Sequence, residues 1–259
     1  VFTPTEIPTL TPFPTSTPEP LALPPDIPAE AIDAPDQLNI LLLGSDKRPW
    51  ETGFRTDTII LLSLNPKKGT AAIVSFPRDL YVNIPGWSQN RINTAFYFGG
   101  FKTLAATLNH NFGVNPTHYV LINFRTFKQT IDSLGGLDVQ VSTPLRDKYT
   151  GKGWITIPKG KVHMNADIVL WYVRSRKTTN DFARNRRQQE VLVALFQKML
   201  TLDALTRIPE LYDKYKKSVT TNLKLSDILP LIPLAFKLTD TSRIQRYYIG
   251  PQHVWDYIT

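Results

Sequence analysis

Arginine and aspartate recur side by side at four places in this 259-residue chain. GSDKR (44–48) holds Asp46, FRTD (54–57) holds Arg55 and Asp57, and PRD (77–79) holds Arg78 and Asp79. The fourth place, VRSRKTTNDFARNRRQQ over 173–189, carries five arginines, one lysine and one aspartate. A guanidinium is a planar fork of N–H donors that grips phosphate oxygens in pairs. Two carboxylates brought together repel unless a cation lies between them. If Asp46 and Asp57 meet, oxygen ligands without His or Cys favour Mg²⁺ or Mn²⁺. Each aspartate also has a plainer reading, as a turn cap or as the ion-pair partner of its neighbouring arginine.

The elements that must position these residues follow from apolar patterning. Leu38–Asp46, Thr56–Pro66 and Thr70–Asp79 are continuous apolar runs ending in polar clusters, as strands buried on both faces read. Their short separations make them neighbours in one sheet. If the first two are antiparallel, the end of one lies beside the start of the next, and Asp46 faces Asp57. Ile92–Phe112 reads as a helix broken at Gly99-Gly100, His118–Phe124 as a strand, Arg125–Gly136 as a helix, and LDVQV as a short strand. Val162–Arg174 and Asp181–Leu202 read as helices, Leu205–Leu238 as mostly helical, and Arg243–Gly250 as an edge strand. Strands alternating with helices predict an α/β/α sandwich around a central mixed sheet. Ligand sites in such sheets lie at strand ends.

On the helix from Asp181, a step of 100° per residue puts Asp181, Arg184 and Gln188 on one face with Leu192, Leu195 and Met199. The apolar end must face the core, so the polar end looks inward at the rim of a cleft. Arg186 projects to the opposite, solvated side, and Arg187 lies on the flank. Arg174 and Arg176, two apart, point together if the chain is extended after Tyr172. Inward arginines at a helix N-terminus suit a phosphate or pyrophosphate. A basic helix lying on a nucleic-acid backbone is the competing reading. Asp181 and Gln188 in the same stripe, and the few aromatic residues among the basic ones, argue for a local shaped site and no nucleic acid.

Composition narrows the classes further. The net charge is +8, and +5 of it sits in 173–189. With no cysteine there is no disulfide, thiolate metal site or cysteine nucleophile. No apolar run is long enough to span a bilayer. Residues 1–37 hold ten of the 21 prolines, six threonines, and no glycine or basic residue. They read as an extended, semi-rigid proline/threonine-rich linker ahead of a folded domain over 38–259. A spacer implies something at its far end, and a membrane anchor upstream of this sequence is expected.

LNILLLGSDKR, FRTDTIILLSL, SFPRDLYVNIPG, RINTAFYFGG, IDSLGGLDVQV and WYVRSRKTTNDFARNRRQQEVLVAL, in that order, resemble the LytR–CpsA–Psr family from about Leu38 to Leu200. The resemblance implies an exported α/β/α domain tethered at the extracytoplasmic face by one N-terminal membrane helix. It implies a phosphotransferase that moves a glycopolymer from a polyprenyl-pyrophosphate carrier onto peptidoglycan with Mg²⁺. By the same resemblance Asp46 and Asp57 match metal-binding aspartates. Arg55, Arg78, Arg174, Arg176 and Arg184 match pyrophosphate-binding arginines, and Asp181 and Gln188 match residues lining the site. Arg91 stands where the family often has lysine, which keeps the charge. The channel for the lipid tail has no fixed motif; the apolar segments Ile92–Phe101, Val120–Phe124 and Leu229–Phe236 are its candidate walls. Asp79 is the candidate base for the acceptor hydroxyl, with an ion pair to its neighbour Arg78 as the plainer reading. His110, His118, His163 and His253 match no site motif, so no Ser-His-Asp set and no covalent intermediate are expected. A hydrolase using water as acceptor, and a non-catalytic lipid-carrier binder, remain as alternatives.

Overall fold

A computed structural model describes residues 29–30, 36–45, 55–201, 209, 212, 216 and 218–254. Three apolar strands form its centre: β1 (Leu38–Ser45), β2 (Thr56–Asn65) and β3 (Thr70–Phe76). β1 pairs antiparallel with β2, and β2 antiparallel with β3. β6 (His118–Asn123) joins β1 in parallel, and β12 (Ile244–Tyr248) joins β3 in parallel. A two-residue strand, β11 (Thr220–Thr221), closes the sheet beyond β6. The order is β11-β6-β1-β2-β3-β12, a six-stranded mixed sheet with β12 at one edge.

Alternation along the strands sends two apolar sets to opposite faces. Leu41, Leu43, Ile59, Leu61 and Phe76 pack against Leu104 and Leu108 of α1 (Ala95–Phe112). Within α1 the backbone leaves helical geometry at Gly99 and Gly100, the latter at φ 66°, which a glycine adopts without strain. On the other face Ile40, Leu64 and Ala71 pack against Leu234 and Leu238 at α5 (Ile232–Lys237), with Phe196 of α4 (Asp181–Thr201) alongside. The α/β/α sandwich read from the sequence is the observed fold.

A third core lies beside the sheet. α2 (Phe124–Ser133), β7 (Leu137–Val141) and α3 (Ala166–Arg174) enclose Ile131, Val139, Val169 and Tyr172 with Val191 and Ala194 of α4. Here the sequence reading needs correction. The helix expected from Val162 begins only at Ala166, because Asn165 caps it: its Oδ1 accepts from Ile168 N at 3.0 Å. Residues before the cap form β10 (Gly160–Met164), paired antiparallel with β7. A hairpin of β8 (Leu145–Tyr149) and β9 (Gly153–Ile157), and the strand β11, were not anticipated. A smaller hairpin, β4 (Tyr81–Asn83) with β5 (Gln89–Arg91), follows Asp79 directly.

Residues 205–208, 210–211, 213–215 and 217 of the expected helical stretch Leu205–Leu238, and almost all of the expected linker over 1–37, lie outside the described residues. From the latter, Ala29 N donates to His110 O at 2.7 Å and Asp36 pairs with Lys67 at 2.7 Å. No helix among the described residues is long and apolar enough to cross a membrane.

Candidate functional site

β1 and β2 end together: Ser45 lies across from Thr56, one residue before Asp57. Asp46 and its neighbours through 54 lie outside the described residues, so the expected meeting of Asp46 with Asp57 is not on view. The cation that Asp57 faces is a guanidinium. Arg78 Nη1 donates to Asp57 Oδ1 at 2.7 Å, and Arg78 Nε donates to Asp79 Oδ2 at 3.3 Å. The same Nε lies 3.8 Å from Asp181 Oδ2, and Arg184 Nη2 donates to that oxygen at 3.2 Å. Arg91 Nη1 donates to Asp79 Oδ1 at 3.4 Å. Asp57, Arg78, Asp79, Asp181, Arg184 and Arg91 thus form one chain of charge at the strand ends. Asp79 makes the ion pair with Arg78 that its plainer reading expected, and its side chain stays 42% exposed.

Helix α4 brings two members of this chain. Asn180 caps it, its Oδ1 accepting from Ala183 N at 2.9 Å, which sets Asp181 in the first turn. Arg184 follows one turn on and is 5% exposed. Its Nε has no hydrogen-bond partner among the described residues. Burial pulls the Arg184 guanidinium below its ordinary range; the charge of Asp181 opposes this, while Arg78 and Arg176 add to it. Arg78 goes the other way: burial lowers it, but the bond and charge of Asp57, with Asp79 and Asp181, leave it raised overall. Arg184 is therefore an under-neutralised buried cation, which an anion would relieve.

One turn further, Gln188 Nε2 donates to Thr58 Oγ1 at 3.0 Å. Thr58 was not singled out from the sequence; its signal is the strand register, which turns it to the α4 side. β1 passes close at Gly44, where a Cβ would sit 3.0 Å from Thr58 Cβ. Beyond Gln188 the same helix face becomes apolar. Leu192, Leu195 and Met199 line a cavity of about 270 Å³ with Leu42, Leu62 and Leu234. Of the three candidate tail walls, only Leu229–Phe236 contributes to it; the α1 segment and Leu121 of β6 pack in the α1-side core, and Val120 packs on the α5 side without lining the cavity. Asp181 and Met199 are 18 residues apart, so about 27 Å of one helix face runs from charge cluster to cavity.

The remaining expected residues are placed less tightly. Arg174 and Arg176 are exposed, Arg174 with its guanidinium 4.3 Å from the centroid of Phe124 at the start of α2. Arg55 is exposed just before β2. Arg187 corrects the helical-face reading. Read as lying on the flank of the stripe, it is 3% exposed, donating from Nε to Tyr172 O at 2.9 Å, from Nη2 to Ser175 O, and to Thr179 Oγ1 at 3.2 Å. It pins the segment after α3 to α4. Arg186, expected in full solvent, is half-buried. The described residues contain no cluster of three or more Asp, Glu or His side chains placed to hold a metal.

The chain matches the LytR_cpsA_psr family over residues 19–255. The polyisoprenyl-teichoic acid–peptidoglycan teichoic acid transferase TagU of Bacillus cereus is 35% identical over 196 residues, 74% of this chain and 62% of that relative. The chain thus spans less than two thirds of that relative's length. The crystal structure of TagV from B. subtilis gives a TM-score of 0.69 at 28% identity, covering 86% of this chain and 90% of that one. A structure of TagT bound to LIIa-WTA gives 0.65 at 26% identity, covering 89% of each.

Proposed function

The chain belongs to the LytR–CpsA–Psr family, and from that premise we propose that it transfers a glycopolymer from a polyprenyl-pyrophosphate carrier onto peptidoglycan, at the extracytoplasmic face of a membrane that an anchor outside this sequence would reach. The relatives named as teichoic acid transferases and the LIIa-WTA complex support this reading. One observation carries it: a single face of α4 joins the buried Arg184, linked through Asp181 to Arg78, to an apolar cavity. A substrate with a pyrophosphate head and an apolar tail matches that face, and a soluble phosphate ester would leave half of it unused.

Arg184, Arg78, Arg174 and Arg176, with Arg55 at the rim, are the proposed holders of the pyrophosphate. Gln188, fixed by Thr58, marks where head gives way to tail. At about 270 Å³ the cavity lies just under the usual range of ligand pockets, about 300–1,000 Å³. It would hold the head-proximal part of a long chain.

The acceptor is a sugar hydroxyl. Its oxygen attacks the sugar-side phosphorus, the bond to the bridging oxygen breaks, and polyprenyl phosphate leaves with that oxygen. Charge builds on the phosphoryl oxygens, where fixed guanidinium donors are most effective. Asp79 is the proposed acceptor of the hydroxyl proton. Its side chain is 42% exposed against 29% for Asp57 and 24% for Asp181, so it is the carboxylate most open to a substrate arriving from outside. Asp57, an oxygen donor open to solvent on one side, fits a hard cation by its chemistry, with Asp46 as second ligand. Mg²⁺, or Mn²⁺ in its place, would supply further neutralisation of the transferring phosphoryl group.

The test is a product assay with carrier-linked glycopolymer, Mg²⁺ and peptidoglycan. Polymer joined to peptidoglycan by a phosphodiester is the expected product. Free polymer phosphate as the sole product would make the enzyme a hydrolase. Binding without turnover would make it a carrier-binding protein.

A further inference from the structure

The β8–β9 hairpin and the segment after α3 form a charged surface that begins at Arg174 and Arg176 of the proposed pyrophosphate site and extends beyond it. Residues 145–157 and 174–178 carry six basic side chains (Arg146, Lys148, Lys152, Arg174, Arg176 and Lys177) against one acid, Asp147. All six are exposed. The acid faces inward. Asp147 is 1% exposed and accepts from Ser175 Oγ, from Lys148 N at 2.6 Å and from Lys177 N at 3.1 Å. Neither segment therefore offers a carboxylate on the outer face to neutralise those cations.

These contacts also make the two segments one surface. Thr178 Oγ1 donates to Arg146 O at 2.7 Å, and Arg187 holds Ser175 and Thr179 from α4. Strand alternation puts Arg146 and Lys148 on the same outer face as Trp154 and Thr156, with Lys148 directly opposite Trp154. The Arg146 guanidinium lies 5.5 Å from the Trp154 ring centroid, and Trp154 is 58% exposed. At its near end the surface reaches the transfer site, because Arg187, three residues after Arg184 on α4, holds the carbonyl of Ser175 between Arg174 and Arg176.

Asp167 of α3 lies within electrostatic reach of Lys152, and Arg174 and Arg176 serve the pyrophosphate, but Arg146, Lys148 and Lys177 have no acid beside them on the outer face of either segment, a repulsive cost that an ordinary solvated surface relieves by mixing signs. A chain with negative charges repeated along its length would offset it, entering from the site and lying along the hairpin. We propose that the outer face of the β8–β9 hairpin binds the polymer portion of the substrate through repeated phosphodiester groups, and so selects an anionic polymer over a neutral one. The Trp154 face, backed by Arg146, lies against the sugar or polyol between phosphates. This rests on the transfer reading for its placement beside the pyrophosphate site.

The test uses the full chain and the triple variant Arg146→Gln/Lys148→Gln/Lys152→Gln, which leaves every residue of the transfer network intact. Calorimetry reads the binding of unlinked poly(glycerol phosphate) fragments across a salt series. Dextran of equal length, phosphatidylglycerol vesicles and a short polyprenyl pyrophosphate serve as comparators. We expect the triple variant to lose about tenfold in poly(glycerol phosphate) affinity, as three exposed charge contacts would supply. Its salt dependence should flatten, and polyprenyl pyrophosphate binding should stay unchanged. Unchanged polymer affinity, equal binding of dextran by the wild type, or binding of vesicles in preference to polymer would each overturn the proposal. Lys148→Glu alone repeats the measurement if the triple variant melts early. If the wild type binds no polyprenyl pyrophosphate, the transfer reading fails, while the polymer titration, made without carrier, still decides this one.

Discussion

At the scale of single residues, the site turns on a difference between arginines that share one helix. Arg184 is 5% exposed and meets one carboxylate, with Arg78 and Arg176 nearby. Arg186, two residues on, is half-buried and belongs to no part of the Asp57–Arg78–Asp181 network. If Arg184 stabilises charge that develops during transfer, Arg184→Ala should lower kcat about 100-fold or more, the usual effect of deleting a fixed donor to a developing oxyanion. Arg186→Ala should stay within a few-fold of wild type. Arg184→Lys should recover little, because an ammonium keeps the charge but loses the planar fork. Single-turnover rates for the three variants decide the matter: equal losses at 184 and 186, or full rescue by lysine, would reduce Arg184 to bulk charge. Asp181 belongs to the same argument from the other side, since its Oδ2 is shared between the two arginines and sets how far apart they stand.

At the scale of elements, the polar contacts that hold the site's surroundings together reach across the sequence. Asp147 on β8 clasps Ser175 and Lys177, some 30 residues away, and so fixes the segment that carries Arg174 and Arg176. Burial alone would raise its pKa, but the hydrogen bonds from Ser175 and from the backbone of Lys148 and Lys177 outweigh burial and hold it below the ordinary 3.8. A carboxylate depressed on folding contributes stability that is present above its unfolded pKa and lost as pH falls through the folded one. The wild type should therefore lose melting temperature below about pH 3.8, the ordinary aspartate value. Asp147→Asn should start about 1–3 kcal/mol less stable at neutral pH and show a shallower acid decline. Parallel melts of the two proteins from pH 7 to pH 3 check this; superimposable acid slopes would count against the clasp. The same contact explains what sequence patterning missed. β1 to β3 were legible because a strand buried on both faces reads as an unbroken apolar run. The face of α4 was legible because its apolar end fixed the direction of its polar end. β8 was not, because an acid at its central inward position, between Leu145 and Tyr149, breaks the apolar alternation. Arg187 was misplaced for the same reason: its inward position is satisfied by carbonyls at Tyr172 and Ser175, which local spacing does not reveal.

At the scale of the whole molecule, the sheet separates two kinds of packing. The α1 face carries the larger buried core; the α4–α5 face leaves a cavity between Leu42, Leu62, Leu195 and Ala235. A void of about 270 Å³ in an apolar layer is either a packing defect or a place for an apolar ligand. The two differ in what filling it does. Ala235 lines the cavity from α5, and Ala235→Trp would occupy much of it without touching the arginine cluster. If the cavity takes the head-proximal part of a polyprenyl chain, displacing two methylenes costs about 0.8 kcal/mol each, or about tenfold in affinity. The loss should appear with a long-chain polyprenyl pyrophosphate and vanish with inorganic pyrophosphate, which needs only the arginines. A packing defect behaves otherwise: the variant would melt at or above the wild-type temperature and bind both ligands as before. Paired titrations of the two ligands on wild type and Ala235→Trp separate these outcomes. An equal loss for both ligands would mean that the substitution had disturbed α4 itself, and the companion variant Leu62→Phe, which fills the cavity from the sheet side, would then carry the comparison.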